Sequence, residues 1–148
     1  MMKRILGAAA AVLSLALGAT GASAQFGPPE LIEAAKKEGK LVFYTANFAE
    51  VEIEVIRAFN KRFPEIKVEM VRAPGGQLIT RFKTEAAANK LIADVMSHSD
   101  RGLLLELKDL FQDYTPPNGA DYREDARVHP RLWPAITVGW AIAYNSAL

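Results

Sequence analysis

Residues 41–100, LVFYTANFAEVEIEVIRAFNKRFPEIKVEMVRAPGGQLITRFKTEAAANKLIADVMSHSD, decide the fold. Three short apolar runs, LVFYT, IKVEMV and ADVMS, alternate there with two longer segments whose apolar residues recur at helical spacing. This alternation predicts consecutive β-α-β units on a parallel sheet. The expected fold class is α/β, with a mostly parallel open sheet and flanking helices.

The remaining elements follow from periodicity and from the positions of proline and glycine. Lys67 and Glu69 on one face of the second strand place it near an edge of the sheet. The helix after the first strand should bury the stripe Val51, Val55, Ile56, Phe59 and Phe63, and the first helix the stripe Leu31, Ile32 and Ala35. Helices are predicted over 28–39, 50–63, 77–90 and 101–110, strands over 41–45, 66–71, 93–97 and 136–143, and an irregular connection over 111–135.

Polar and glycine residues follow the predicted strands. In an open parallel sheet the ligand site lies beyond the carboxyl ends of the strands, so these residues are candidate ligand contacts. The hydroxyl and amide groups are expected to act as neutral hydrogen-bond donors. The glycine pair opens a helix, whose first backbone N–H groups can cradle an anion, although a tight loop explains two glycines equally well. The candidates are Thr45, Ala46, Asn47, Gly75, Gly76, Ser97 and Ser99.

Residues 1–24 have the pattern of a secretory signal peptide. Lys3 and Arg4 precede an apolar run, which is followed by small residues ending in Ala24, and the run is too short to span a bilayer comfortably. We expect cleavage after Ala24, export from the cytoplasm, and a single mature domain over residues 25–148.

Composition limits the kinds of partner. Loss of the leader removes two of the 18 basic residues and leaves 16 against 17 acidic ones, so nothing indicates a nucleic-acid partner. The chain has no cysteine, which excludes disulfides and thiolate chemistry. No pattern indicates a cofactor.

Two kinds of chemistry compete with ligand binding. Ser97, His98 and Asp100 include the residue types of a hydrolytic triad, but neighbours at one strand end point in divergent directions and no G-x-S-x-G elbow is present. His98 and His129 could ligate a metal, yet no carboxylate lies at a spacing that completes a site with either. We therefore predict neither an enzyme nor a metal site.

Several landmarks together resemble a known family. LIEAAKKEGKLVFYTA, NKRFPEIKVEMVRA, a glycine-bearing loop, TEAAANKLIADVMSHSD and VGWAIAYNSAL occur in the order found in the N-terminal lobe of solute-binding proteins of ABC importers. The sequence is most similar to the group with the type II periplasmic binding fold that binds iron(III), thiamine, phosphonates or polyamines.

The resemblance implies a periplasmic clamp of two lobes, which holds a small solute between them and delivers it to a membrane permease. It also implies that Tyr144 lies in the hinge, where the chain crosses between lobes, so the second lobe is expected to be missing here and the chain to be a truncated or partial form. A single-lobe interaction protein or a vestigial protein without a transport role is the alternative.

The same resemblance bears on the ligand. Iron-binding relatives place a histidine near Phe48 or a glutamate near Ser99, and neither type is present at those positions. An anionic or zwitterionic solute is therefore favoured over iron(III), with Arg72 and Arg81 as possible sources of positive charge.

Overall fold

The structure, a computed structural model, describes residues 26–136, and this part of the chain has the predicted α/β architecture. Short 3₁₀ turns follow the last helix. The elements in chain order are α1 (Pro29–Glu38), β1 (Lys40–Thr45), α2 (Ala49–Arg62), β2 (Lys67–Arg72), α3 (Gly75–Ala87), β3 (Val95–Ser97) and α4 (Arg101–Glu106).

The three strands form a parallel sheet in the order β2-β1-β3. Among the described strands, β2 lies at an edge, as predicted. Because β2 and β3 are added on opposite sides of β1, the strand order reverses beside β1, which makes the space beyond β1 and β3 a topological switch point.

Helices α2 and α3 cover opposite faces of the sheet. Val42 and Tyr44 point toward α3 and form the core with Leu78, Ile79, Phe82 and Leu107, all buried. Phe43 and Thr45 alternate to the other face, where the hydroxyl of Thr45 contacts α2 through Glu52. The main core therefore lies between β1 and α3.

A polar pair formed by buried Tyr44 and half-buried Glu85 joins β1 to α3. The phenol of Tyr44 donates to Glu85 at 2.8 Å, and the guanidinium of Arg81 donates to the same carboxylate at 2.7 Å. Burial raises the pKa of Tyr44, and its hydrogen bond to Glu85 raises it further. Burial opposes ionisation of Glu85, but the hydrogen bonds from Arg81 and Tyr44 outweigh it and lower the pKa of this carboxyl group.

The start and end signals of the first helix act as predicted. A proline occupies its first turn, and Gly39 ends it in the left-handed conformation at φ +72°, with its N–H donating to the carbonyl of Ala35 at 2.9 Å. A side chain at Gly39 would be strained there. The apolar stripe of α1 is less buried than expected: Ile32 and Ala35 are half-buried, but Leu31 is exposed.

The predicted stripe of α2 is right at Ile56, Phe59 and Phe63 and wrong at Val51 and Val55. Val51 and Val55 are 48% and 53% exposed, whereas Glu52 is buried and Ile56, Phe59 and Phe63 are half-buried. The helix turns its 52-56-59-63 face to the sheet because Glu52 accepts hydrogen bonds from the end of β1. Val55 instead lines an open apolar groove of about 170 Å³ with Phe43, Ile56 and Val95 among its walls.

Other boundaries move by a few residues. The third helix occupies 75–87 rather than 77–90, and the fourth ends at Glu106 before a 3₁₀ turn at Lys108–Leu110. The third strand begins at Val95, but Asp94 extends the pairing because its carboxylate accepts from the Val42 N–H at 2.7 Å.

The segment 111–135 is irregular, as predicted, and aromatic residues hold it. The indole N–H of Trp133 donates to the carbonyl of Tyr114 at 2.7 Å, and its ring packs edge-on against Tyr122. Within residues 26–136 no helix has the length and apolar character needed to cross a bilayer. The predicted leader, Tyr144 and nearly all of the predicted strand 136–143 lie outside the described residues.

Candidate functional site

The candidate site lies at the switch point, beyond the carboxyl ends of β1 and β3. Thr45 and Ser97 are register partners, and the N–H of Ala46 continues the pairing to the Ser97 carbonyl at 3.2 Å. The Asn47 amide then reaches across and donates to the Ser97 hydroxyl at 2.9 Å. Four residues chosen from sequence thus lie together in one hydrogen-bonded group.

A buried carboxylate organises this group. Glu52, in the first turns of α2, accepts from the Thr45 hydroxyl at 2.8 Å and from the Asn47 side-chain amide at 2.6 Å, and only 3% of the residue is exposed. Its position near the start of α2 gives the negative charge favourable contact with the helix dipole. Burial of a carboxylate is otherwise costly, so these bonds are needed to keep it there.

Sequence reasoning missed Glu52, although a signal for it was present. Residues 52, 56, 59 and 63 have the spacing of one helical face, and residues 51, 55, 59 and 63 have it equally. Hydrophobicity favours the second set, because the first begins with a charged residue. Thr45 and Asn47, two polar residues directly before the helix, provide the partners that make such a residue acceptable on the inner face.

The Thr45 hydroxyl also accepts a hydrogen bond within the group. Its hydroxyl accepts from the Asn47 backbone N–H at 3.1 Å, and the residue has no exposed surface. Asn47 and Ser97 are half-buried. The surface that this group presents to a ligand is therefore formed by Asn47, Ser97 and Ala46, with Thr45 holding them from below.

The start of α3 forms a second wall. The N–H of Ala73 donates to the Thr45 carbonyl at 3.3 Å, and the Arg72 guanidinium donates to the Asn47 carbonyl at 2.8 Å, which ties the β2 end to the β1 end. The helix has no side-chain cap at Pro74. Space beside the Gly76 α-carbon is open, whereas Gly75 is covered by the imidazole of His98.

In the loop after β3, the side chains of His98 and Asp100 accept hydrogen bonds from backbone N–H groups nearby in the chain. The Nδ1 atom of His98 accepts from the Asp100 N–H at 3.0 Å, while Nε2 is buried without a hydrogen-bond partner. Asp100 caps α4 by accepting from the Leu103 N–H at 3.1 Å. Ser99 is exposed.

These contacts do not form a hydrolytic triad. The partner of the Ser97 hydroxyl is Asn47, His98 is bonded to a backbone N–H, and the Asp100 carboxylate caps a helix. Among residues 26–136, no three histidine or acidic side chains are grouped so that they could hold a metal ion. His129 accepts from the Arg131 N–H in the irregular segment.

The two candidate arginines differ in availability. Arg81 is paired with Glu85, and hydrogen bonding to that carboxylate raises its pKa. Arg72 is exposed and bound to a carbonyl oxygen, so its full positive charge remains beside the site.

Comparison with known proteins adds an independent finding. Residues 44–148 match the family model described as bacterial extracellular solute-binding protein. The match begins one residue before Thr45 and therefore includes every candidate site residue. No curated protein matches the chain.

Proposed function

Because the chain belongs to the family of bacterial extracellular solute-binding proteins, we propose that it is the solute-capturing component of an ABC importer in the periplasm. Proteins of this family are generally not enzymes. The proposed partners are a small solute and the importer's permease in the inner membrane, and the proposed route to the periplasm is export by residues 1–24, with cleavage after Ala24.

The observation that supports this function most strongly is the hydrogen-bonded group at the switch point. Asn47, Ser97 and Ala46 are held there by Glu52 and Thr45, so their geometry exists before a ligand arrives. A preformed polar site of this kind loses little conformational entropy on binding.

The proposed contacts divide into three groups. Ala46, Asn47 and Ser97 form the floor, positioned by Thr45. Gly75 and Gly76 contribute the start of α3. Ser99, in the loop after β3, and Tyr144, outside the described residues, complete the proposed contacts. The solute is a small anionic or zwitterionic compound, with iron(III) as a further candidate, and a second lobe of the family's clamp closes over it. We treat residues 25–148 as one lobe of that clamp.

Thermal-shift and calorimetric measurements test the proposal. The purified chain is screened with iron(III), phosphate, aminoalkylphosphonates, thiamine and polyamines. At least one should raise the unfolding temperature, since a ligand that binds only the folded state stabilises it. Asn47→Ala should weaken that effect, whereas Asn89→Ala, on the loop after α3, should not.

Failure of every compound to bind would contradict solute capture by this chain. Binding that is equally strong in Asn47→Ala would instead place the site elsewhere on the molecule.

A single-lobe interaction protein is the second candidate function, and the apolar groove favours it. Its walls include Phe43, Val55, Phe59 and Val95, and Val51 adds exposed apolar surface nearby. Exposed apolar patches often mark protein contacts. Size-exclusion chromatography distinguishes the two: a stable monomer that binds a solute supports capture, and a concentration-dependent oligomer without solute binding supports the alternative.

A further inference from the structure

Both side-chain amide hydrogens of Asn47, at the floor of the site, are already used inside the protein, whereas the Ser97 hydroxyl accepts one of them and keeps its own hydrogen. One amide hydrogen of Asn47 goes to the Glu52 carboxylate at 2.6 Å, and the other goes to the Ser97 hydroxyl at 2.9 Å. The backbone N–H of Asn47 goes to Thr45. A neutral amide has two side-chain hydrogens, so Asn47 has none left for a ligand.

The orientation of the Asn47 amide follows from chemistry. An ionised carboxylate only accepts hydrogen bonds, so the Asn47 atom 2.6 Å from Glu52 must be the nitrogen. The amide oxygen is therefore the side-chain atom of Asn47 that remains available to a ligand. Because that atom only accepts, the floor at this point favours a ligand group that donates.

Charge acts in the same direction. Among the ion pairs of the described residues none involves Glu52, so its negative charge lies beneath the floor without a cationic side chain to balance it. The Arg72 guanidinium, bound to the Asn47 carbonyl at the surface, lies beside the site and offsets part of this negative charge, but it does not pair with Glu52. A buried charge is weakly screened and favours an opposite charge nearby.

We infer that Glu52 determines the ligand class of this site: by holding both amide hydrogens of Asn47 it presents an acceptor oxygen above a buried negative charge and selects solutes that carry a protonated amine. This inference rests on the proposed solute-binding function and narrows it to amine-bearing compounds. The expectation from sequence, that Thr45, Asn47 and Ser97 are neutral donors, is replaced by one in which Asn47 accepts.

Matched pairs of probes test the amine requirement by calorimetry on the purified chain. Aminoethylphosphonate is compared with ethylphosphonate, and putrescine with butanediol. The first pair represents a zwitterionic solute and the second a polyamine, so the two arms distinguish these sources of the amine. At least one amine should bind about tenfold tighter than its amine-free counterpart, as expected for a hydrogen bond from a charged group.

Variants test the part played by Glu52. Glu52→Gln should reduce the preference for the amine about tenfold, because a glutamine side chain has no negative charge and its own amide can rearrange the bonds of Asn47. Glu50→Gln removes the same charge from an exposed position on the same helix and should leave the preference unchanged.

A second variant keeps the test decisive if Glu52→Gln fails to fold, which circular dichroism would show. Ser97→Ala releases one amide hydrogen of Asn47, so this variant should bind the amine-free phosphonate better relative to the amine. Three results would overturn the inference and leave solute capture intact. They are equal binding of both members of each pair, binding of amine-free compounds only in the wider screen, and an unchanged preference in both Glu52→Gln and Ser97→Ala. If the chain binds none of these probes and no compound of the wider screen, solute capture and the inference are both wrong.

Discussion

The imidazole of His98 lies against the α-carbon of Gly75, so closely that a Cβ atom at residue 75 would be 2.7 Å from Nε2. The contact joins the loop after β3 to the first residue of α3. The ring cannot move freely, because its Nδ1 atom accepts from the Asp100 N–H. The imidazole of His98 therefore explains why residue 75 is glycine. The backbone does not explain it, since the φ angle of Gly75 does not lie in the left-handed region.

Gly75→Ala should destabilise the protein, whereas Gly76→Ala should not. The added methyl group at residue 75 displaces His98 and strains its bond to Asp100, at a cost of about 1–3 kcal/mol. At residue 76 no atom lies within 4 Å of the new Cβ, so alanine should stabilise the helix by about 0.4–1 kcal/mol. Urea unfolding measures both free energies.

The NMR signals of the His98 ring protons provide a direct control for these two variants. They should shift in Gly75→Ala and stay in place in Gly76→Ala. Equal stability of the two variants, with unchanged His98 signals, would show that the contact is looser than described.

The pair of Tyr44 and Glu85 should make stability depend on acid pH. The pKa of Glu85 is lower in the folded protein than its ordinary value, so the folded state favours the ionised form. The resulting stabilisation is present above the unfolded-state pKa of about 4.3 and is lost as the pH falls through the lower folded-state pKa. Glu85→Gln should remove this part of the pH dependence.

At neutral pH Glu85→Gln should also lower the free energy of unfolding by about 1–2 kcal/mol, because Tyr44 and Arg81 lose a charged acceptor. Glu54→Gln is the matched control, since its pairing with Arg57 is exposed and is expected to contribute less than about 0.5 kcal/mol. Chemical unfolding from pH 3 to pH 7 measures both effects. Parallel pH profiles for the wild type and Glu85→Gln would contradict the assignment.

Phe82 should be among the side chains whose loss destabilises the fold most. It is 2% exposed, belongs to the core between β1 and α3, and packs on Phe111 with ring centroids 5.5 Å apart. Phe82→Ala should lower the free energy of unfolding by about 3–5 kcal/mol. Phe48→Ala removes the same atoms from an exposed position and should change it by less than about 0.5 kcal/mol; similar values for both would place the core elsewhere.

The chain order of helices and strands could be predicted because each strand is a short apolar run bounded by proline, glycine or polar residues. The edge position of β2 was predictable for a related reason, since Lys67 and Glu69 suit a strand that is not covered on both sides. The α2 face was not predictable from hydrophobicity. Its orientation depends on Glu52, whose partners Thr45 and Asn47 lie on the preceding strand and loop.

The proximity of Thr45, Asn47 and Ser97 was predictable, but the direction of their hydrogen bonds was not. Thr45 and Ser97 end neighbouring parallel strands, and the carboxyl ends of such strands lie side by side. The proximity of the two residues therefore follows from the topology. Whether Asn47 donates to a ligand or to the protein depends on a third residue from another element. A linear sequence gives no indication of how such shared hydrogen bonds are distributed.

Ser99 and Asp100 are adjacent, and both have side chains suitable for capping α4. Asp100 accepts from the Leu103 N–H, whereas Ser99 is exposed and has no described part in the cap. Asp100→Ala should therefore lower the free energy of unfolding by about 1 kcal/mol, and Ser99→Ala should change it by less than about 0.5 kcal/mol. Because the Asp100 backbone N–H still binds His98 in both variants, the difference reports the carboxylate alone. Thermal and urea unfolding measure it, and a larger loss in Ser99→Ala than in Asp100→Ala would mean that the helix is capped by the serine instead.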